Sequence, residues 1–285
     1  MDAITGHVLS QKFLFEVAVG LAIGLFAGVA GMPLGALRLP AIYQVVPTPQ
    51  IAAGTNLGID IFTATIAAYR YWKERLVDIG VLVFMGVPSC VGAFLGGYLS
   101  NRFVSYKWLL VVVGLVYFCV GLDMLRSAAG GVAGAGQLRG TESDKGASAK
   151  RPGQGHWAKG IGGIKGAVVA ALCGLLLGFV GGMAGLMMGS LRVPAMIKLV
   201  GLAPAMAAGT NMVISSFFAV SGFAGHLIHK NLDLSVLLTV GAASMIGSYA
   251  GSHLGVTLNP LTANRLIGVA IILMAIVLLV TGFRL

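Results

Sequence analysis

Charged side chains are scarce in this sequence. They make up 10% of its 285 residues, whereas soluble domains contain about 25%. Hydrophobic residues make up 57%, and the mean hydropathy is +0.92. This composition excludes an ordinary water-soluble surface. The apolar residues suffice for about eight membrane-spanning helices of roughly 20 residues each. Strand-type alternation of polar and apolar residues is missing, which argues against a membrane barrel.

Cysteine is also rare, and the histidines show no metal-ligand pattern. Cys90, Cys119 and Cys173 each lie within an apolar run and are expected to be small buried hydrophobic residues. His226 and His229 stand near the end of a predicted crossing, where we expect an ordinary loop role. The apolar runs contain no nucleotide-binding motif and no Ser/His/Asp, zinc or redox cluster. We therefore expect neither an enzyme nor a cofactor or metal site.

Acidic residues are fewer than basic ones, and the net charge is +10. Many basic residues lie between about residues 127 and 163, and others, such as Arg70, Lys73 and Arg75, lie in a short loop. This is the distribution of a membrane protein with its basic loops in the cytoplasm. We expect no nucleic acid partner. The lipid bilayer of the bacterial cytoplasmic (inner) membrane is the expected environment of a multi-pass protein.

A tandem repeat organises the chain. Residues 24–41, GLFAGVAGMPLGALRLPA, match residues 178–195, GFVGGMAGLMMGSLRVPA, at four glycines, the arginine and the last proline (Gly24, Gly28, Gly31, Gly35, Arg38 and Pro40 of the first segment). One inserted residue later, AAGTN at 52–56 matches AAGTN at 207–211. The sequence thus predicts an all-α integral membrane protein with two transmembrane copies, residues 1–126 (the first copy) and 164–285 (the second copy). Residues 127–163 form the flexible basic cytoplasmic linker between them.

Each copy is expected to contain four crossings and one broken or re-entrant segment. Glycines spaced by four residues predict helices whose backbones touch in lipid. If the broken segment re-enters, the copies are parallel; if it crosses, each copy has five segments and the copies are inverted. The basic residues favour the parallel arrangement. The crossings are about 14–30, 50–71, 77–99 and 106–125, then 168–184, 205–228, 234–254 and 264–282, with the broken segments at about 32–46 and 186–200.

The two broken segments give the strongest functional signal. Non-helical backbone at membrane depth is tolerated only where it is buried in protein or lines a cavity. Interrupted segments at matching positions of two halves point to the binding site of a transporter. Their free backbone N–H groups suit an anion. The predicted helix-break residues are Pro33, Gly35 and Pro40 in the first copy and Gly189 and Pro194 in the second.

Arg38 and Arg192 occupy the equivalent point of each broken segment. An arginine within a membrane is energetically costly and usually faces the interior of the bundle, although snorkelling to an interface is an alternative. A guanidinium group offers paired donors to carboxylate, sulfonate or sulfite oxygens. We predict that both arginines bind the substrate, together with the neighbouring Gly31 and Gly185.

The duplicated AAGTN sequence adds four neutral polar side chains. Thr55, Asn56, Thr210 and Asn211 provide donors and acceptors near the proposed helix ends. We predict that they contact the substrate. Hydrogen bonding between the two copies is the alternative.

Asp60 lies one helical turn after Asn56 and shares its face. The matching position in the second copy is Ser215, so the predicted site is not symmetric. Asp60 is either a proton acceptor that couples transport or an ion partner of Arg38, and the sequence leaves both interpretations open.

The pattern G-x-x-x-G-x-x-G-x-x-x-G-x-x-R-x-P followed by A-A-G-T-N, present twice, resembles the TauE/SafE sulfite exporter family of membrane proteins (TSUP). The resemblance covers nearly the whole chain outside the linker. It implies transport of sulfur-containing anions, such as sulfite, sulfoacetate or other organosulfonates, across the bacterial cytoplasmic membrane.

The predicted function is a secondary transporter that exports such small anions by alternating access at a site between the copies. An anion channel, or a cation- or proton-coupled transporter of another small metabolite, is the alternative. The oligomeric state stays open between a monomer and a homodimer.

Overall fold

The computed structural model describes residues 2–30, 35–43, 45–46, 48–101, 164–202 and 204–257, together with scattered helical residues within 107–122 and 269–283. Every regular element in these ranges is helical, which confirms the predicted all-α class for the described part of the chain. The continuous helices are α1 (Asp2–Ala30), α2 (Gly35–Ile42), α3 (Pro49–Lys73), α4 (Ile79–Leu99, with a π turn at Leu82–Gly86), α5 (Ile164–Ala184), α6 (Gly189–Val200), α7 (Pro204–Leu227) and α8 (Leu234–Thr257).

Among the described residues, five helical segments are long and apolar enough to cross a membrane, so the chain is a multi-pass membrane protein. They correspond within a few residues to five of the predicted crossings. The predicted crossing at 14–30 lies in α1, which is not one of the five. Those at 106–125 and 264–282 lie mainly outside the described residues, as does the linker. The five segments are Pro49–Lys73, Ile79–Leu99, Gly166–Ala184, Met206–Leu227 and Leu234–Gly251.

Helices α3 and α7, which carry the two AAGTN sequences, form the centre of the bundle. About two thirds of the most apolar part of each is buried (65% and 67%), against 39% for the other three spans. Around this central pair, α1 packs along α8 and α4 packs along α5. Each outer pair therefore joins a helix of the first copy to a helix of the second.

Glycine allows the outer pairs to approach closely. A Cβ atom at Gly24 of α1 would lie closer than 3.0 Å to backbone atoms of Ser244 on α8. A Cβ atom at Gly178 of α5 would meet the backbone of Ser89 on α4 in the same way. Small residues permit such backbone contact in lipid, where van der Waals packing drives helix association.

The outer face of α4 is apolar and suits contact with lipid chains. Ile79, Val83, Val87 and Val91 are exposed and recur every fourth residue, so they form one stripe along the helix. In water such a continuous apolar stripe would be unfavourable, whereas it costs nothing against hydrocarbon.

The break between α5 and α6 is made by four residues, 185–188. Gly185 has φ 71°, in the left-handed region, and the N–H of Leu186 donates a 2.8 Å hydrogen bond to the carbonyl of Gly181. This is the hydrogen-bond pattern of a glycine-terminated helix. Met188 also has a left-handed φ (49°), immediately before Gly189 begins α6. Two positive φ angles thus turn the chain within a few residues.

The structure corrects the predicted role of Pro40 and Pro194, which lie inside α2 and α6 and do not break them. A proline within a helix removes one hydrogen bond to the carbonyl four residues earlier, yet both short helices continue past their proline. Gly35 and Gly189 are the first residues of the two short helices. The predicted contacts of Gly31 and Pro33 lie outside the described residues.

Candidate functional site

Arg38 and Arg192 are the fourth residues of α2 and α6, and both are buried, with 3% and 0% of their surface exposed. Burial to this extent does not fit snorkelling to an interface. Arginine keeps its charge in proteins, and a charge taken out of water costs several kcal/mol unless other groups compensate it. The contacts of each guanidinium group therefore define the chemistry of the site.

Arg38 is bound by residues from two further helices. Its Nη2 forms an ion pair with Asp60 Oδ1 on α3, and its Nε donates a 2.9 Å hydrogen bond to Asn56 Oδ1 on the same helix. Its Nη1 lies 3.5 Å from the hydroxyl oxygen of Ser244 on α8. The other carboxylate oxygen of Asp60 lies against Gly35, where a Cβ atom would collide with it. Asp60 is thus an ion partner of Arg38.

Arg192 forms hydrogen bonds with the α5–α6 break and with α7. Its Nη2 donates a 2.7 Å hydrogen bond to the carbonyl of Met187. Its Nη1 donates to Asn211 Oδ1 at 3.2 Å and to Ser215 Oγ at 3.4 Å. The Phe218 ring lies under the guanidinium group, 5.2 Å from its carbon to the ring centroid, in a cation–π contact.

The two arginine environments differ in charge at one position. Asp60 on α3 corresponds to Ser215 on α7 in the repeat. Arg38 therefore meets a carboxylate at this position, and Arg192 meets a hydroxyl group.

Asn56 connects the first environment to the second. While its Oδ1 accepts from Arg38, its Nδ2 donates a 2.7 Å hydrogen bond to the carbonyl of Gly185 in the α5–α6 break. Arg192 binds the carbonyl of Met187 in the same break. Both arginines are thus tied to residues 185–188, one directly and one through Asn56. Of the predicted site residues, the structure brings together Arg38, Asn56, Asp60, Gly35, Gly185, Gly189, Arg192 and Asn211.

The two threonines of the AAGTN sequences make a different contact. Thr55 Oγ1 accepts a 2.9 Å hydrogen bond from the backbone N–H of Asp233, and Thr210 Oγ1 accepts one of 2.9 Å from the N–H of Asp78. The carboxylates of these aspartates in turn cap the first turns of α4 and α8. Each threonine therefore joins its own copy to the start of a helix in the other copy. A substrate contact for Thr55 and Thr210 stays a prediction.

Three residues near the site were not predicted from the sequence to belong to it. His226 has no exposed surface, and its Nε2 lies 2.9 Å from the carbonyl of Gly182, so this nitrogen carries the proton that it donates. The expected loop role of His226 is therefore corrected. Ser244 matches Ser89 across the repeat, a signal that could have identified it. The repeat gives no such signal for Phe218, because the matching residue of the first copy is Thr63.

Comparisons with known proteins agree with this helical bundle. A family model described as Sulfite exporter TauE/SafE matches residues 16–278. The probable membrane transporter protein YunE of Bacillus subtilis (strain 168) is 29% identical, with 96% of this chain and 97% of the relative aligned. The probable membrane transporter protein YjnA of the same organism is 22% identical, with 94% and 98% aligned. No solved structure matches the chain. Because the family model covers nearly the whole sequence, the chain belongs to the sulfite exporter TauE/SafE family of membrane transporters.

Proposed function

We propose that this chain is a secondary transporter that exports small sulfur-containing anions, sulfite or organosulfonates such as sulfoacetate, across the bacterial cytoplasmic membrane. The observation that carries the proposal is the burial of Arg38 and Arg192 at equivalent places in two short helices. Guanidinium groups are retained inside a membrane protein at high energetic cost. Their planar pairs of N–H donors match the oxygens of sulfite and sulfonate groups. Membership of the sulfite exporter family supports this class of substrate.

The proposed binding site lies between the two copies, at the arginines, Asn56, Asn211 and the α5–α6 break. Since the guanidinium groups are buried, an anion contacts them only when the surrounding helices separate. This supports alternating access, in which the helices open to one side of the membrane at a time. Helices α2 and α6 have 8 and 12 residues, whereas a crossing needs about 20. Their length supports a re-entrant segment in each copy.

Counterflow in liposomes tests the proposal. The purified protein is expected to accumulate radiosulfur-labelled sulfite against unlabelled sulfite or sulfoacetate on the other side, but not against chloride or acetate. Arg192→Gln is expected to reduce this counterflow at least about tenfold, the effect of losing roughly 1.4 kcal/mol of binding free energy. Arg75→Gln removes the same charge from an exposed loop residue and serves as the matched control.

The same assay separates the alternatives. An anion channel would give sulfite flux without counterflow. A cation- or proton-coupled transporter of another metabolite would give no sulfite flux, and Asp60→Asn would abolish the cation or proton flux. Absence of counterflow with every sulfur anion would refute the proposal.

A further inference from the structure

We infer that the hydroxyl group of Ser89 on α4 is a further substrate contact, which donates a hydrogen bond to an oxygen of the transported anion. This inference rests on the proposed transport of sulfur-containing anions. Ser89 has no exposed surface, and its hydroxyl oxygen is buried without a hydrogen-bond partner in the described part of the chain. The inference adds α4 to the helices that contact the substrate.

A buried hydroxyl group without a partner is unusual inside a membrane protein. A serine or threonine within a helix commonly donates to the carbonyl of the preceding turn, as the Thr239 hydroxyl does to the carbonyl of Ser235 at 2.9 Å. Ser221 of α7 instead donates a 2.7 Å hydrogen bond across to the carbonyl of Cys90, the residue after Ser89. A hydroxyl group that is removed from water and not bonded again costs free energy. This cost at Ser89 is explained if the missing partner is the substrate.

The neighbouring turns of α4 place Ser89 beside the α5–α6 break and α6. Met85 and Ala93 lie one turn before and one turn after Ser89, on the same face of the helix. Met85 belongs to a buried apolar cluster with Met196 of α6, and Ala93 belongs to another with Met187 of the break. Ser89 therefore lies between these clusters, next to the part of the chain that the proposed function assigns to the substrate.

The matching serine of the second copy shows where the side chain points. Ser244 on α8 corresponds to Ser89 in the repeat, and its hydroxyl oxygen lies 3.5 Å from Arg38 Nη1 on α2. The two serines also share their packing, since a Cβ atom at Gly24 would meet the backbone of Ser244 and one at Gly178 would meet that of Ser89. Ser244 directs its hydroxyl group at the short helix α2. By the same packing, Ser89 directs its hydroxyl group at the short helix α6.

A hydroxyl group at this place suits an oxyanion. The ionised oxygens of sulfite and sulfonate groups only accept hydrogen bonds, and a serine hydroxyl can donate one. A hydrogen bond to a charged group is stronger than one between neutral groups. Because the Ser89 hydroxyl has no protein partner to give up, the whole of this hydrogen bond favours binding.

Ser89→Ala tests the inference, because the substitution breaks no hydrogen bond within the protein. The sulfite concentration at half-maximal counterflow is expected to rise at least about tenfold, while the unfolding temperature in detergent without sulfite does not fall. Ser221→Ala is the matched control, since it removes the same hydroxyl group from a bonded position. It is expected to lower the unfolding temperature and to keep the wild-type half-maximal concentration.

Sulfite added to the purified full-length protein gives a second measurement. A ligand raises the unfolding temperature of a protein that it binds, and Ser89→Ala is expected to need at least about tenfold more sulfite for the same rise. A wild-type half-maximal concentration in Ser89→Ala would overturn the inference and leave the proposed function intact. A lower unfolding temperature of Ser89→Ala without sulfite would also overturn it, because the hydroxyl group would then be structural. A wild-type protein that moves no sulfur anion would instead refute the proposed function and the inference with it.

Discussion

The side-chain amide of Asn56 donates a 2.7 Å hydrogen bond to the backbone carbonyl of Gly185, 129 residues further along the chain. Through this bond, α3 of the first copy holds the break between α5 and α6 of the second. The amide oxygen accepts from Arg38 at the same time. A flip of this amide, which exchanges its oxygen and nitrogen, would lose both hydrogen bonds, since a guanidinium group only donates and a carbonyl only accepts.

Replacing Asn56 with leucine is expected to lower the free energy of unfolding by about 1–3 kcal/mol, because it leaves the Gly185 carbonyl and an Arg38 N–H group buried without this partner. Sulfite counterflow is expected to fall as well, since the α5–α6 break also provides the Met187 carbonyl to Arg192. Thermal unfolding in detergent and counterflow in liposomes measure the two effects. Asn101→Leu removes an amide oxygen that accepts a single 3.0 Å hydrogen bond from Asn231 at a more exposed position, and it is expected to lose less stability than Asn56→Leu. An Asn56→Leu protein that unfolds at the wild-type temperature would contradict the structural role of this amide.

Gly185→Ala is expected to be more disruptive than Gly201→Ala. Both glycines have left-handed φ angles, 71° and 73°, so an alanine at either position adds backbone strain of roughly 1–2 kcal/mol. A Cβ atom at Gly185 would also lie closer than 3.0 Å to the backbone of Ala53, whereas at Gly201 it would meet nothing within 4 Å. The difference in unfolding temperature between the two variants isolates this close contact. Equal temperatures would mean that only the backbone angle requires glycine at 185.

Several features of this fold could be predicted from local sequence. Five crossings are predicted within a few residues of the observed spans, because hydropathy summed over about 20 residues is a strong signal. The contact between Asp60 and Arg38 is one of two predicted interpretations. It could be anticipated because Asp60 lies one turn after Asn56 on the same helix face.

Other features depend on long-range packing and could not be predicted. The helix break lies at 185–188 and not at Pro194, because backbone angles at Gly185 and Met188 end one helix and begin the next. His226 is buried because Gly97 leaves room for its ring: a Cβ atom there would lie 3.0 Å from a ring carbon. Thr55 finds its partner in the backbone of Asp233, in the other copy. No short sequence pattern encodes these distances.

Thr55→Val is expected to lower the free energy of unfolding by about 1 kcal/mol, because it leaves the N–H of Asp233 without its acceptor. Thr210→Val is expected to have a similar effect through Asp78. The sulfite concentration at half-maximal counterflow separates this structural role from substrate binding. Thr55→Ser keeps the hydroxyl group and is the matched control. A rise in that concentration in Thr55→Val, without a loss of stability, would instead assign this threonine to the substrate.

Arg38→Gln is expected to be strongly destabilising, by about 3–5 kcal/mol, because it leaves the buried carboxylate of Asp60 without its cation. Adding Asp60→Asn in the same chain removes that charge and is expected to recover most of the lost stability, since two neutral amides can bond to each other. Membrane yield and unfolding temperature measure the loss and its recovery.

Arg192→Gln provides the comparison for this ion pair, because the position that Asp60 has beside Arg38 is held here by the neutral Ser215. Its loss of stability is expected to be smaller than that of Arg38→Gln, because Ser215 loses a donor but carries no charge. A loss of stability in Arg192→Gln as large as that in Arg38→Gln would mean that the charge of Asp60 is not what makes Arg38 necessary. If Arg38→Gln and its double variant with Asp60→Asn unfolded at the same temperature, the ion pair would not be what stabilises α2 against α3.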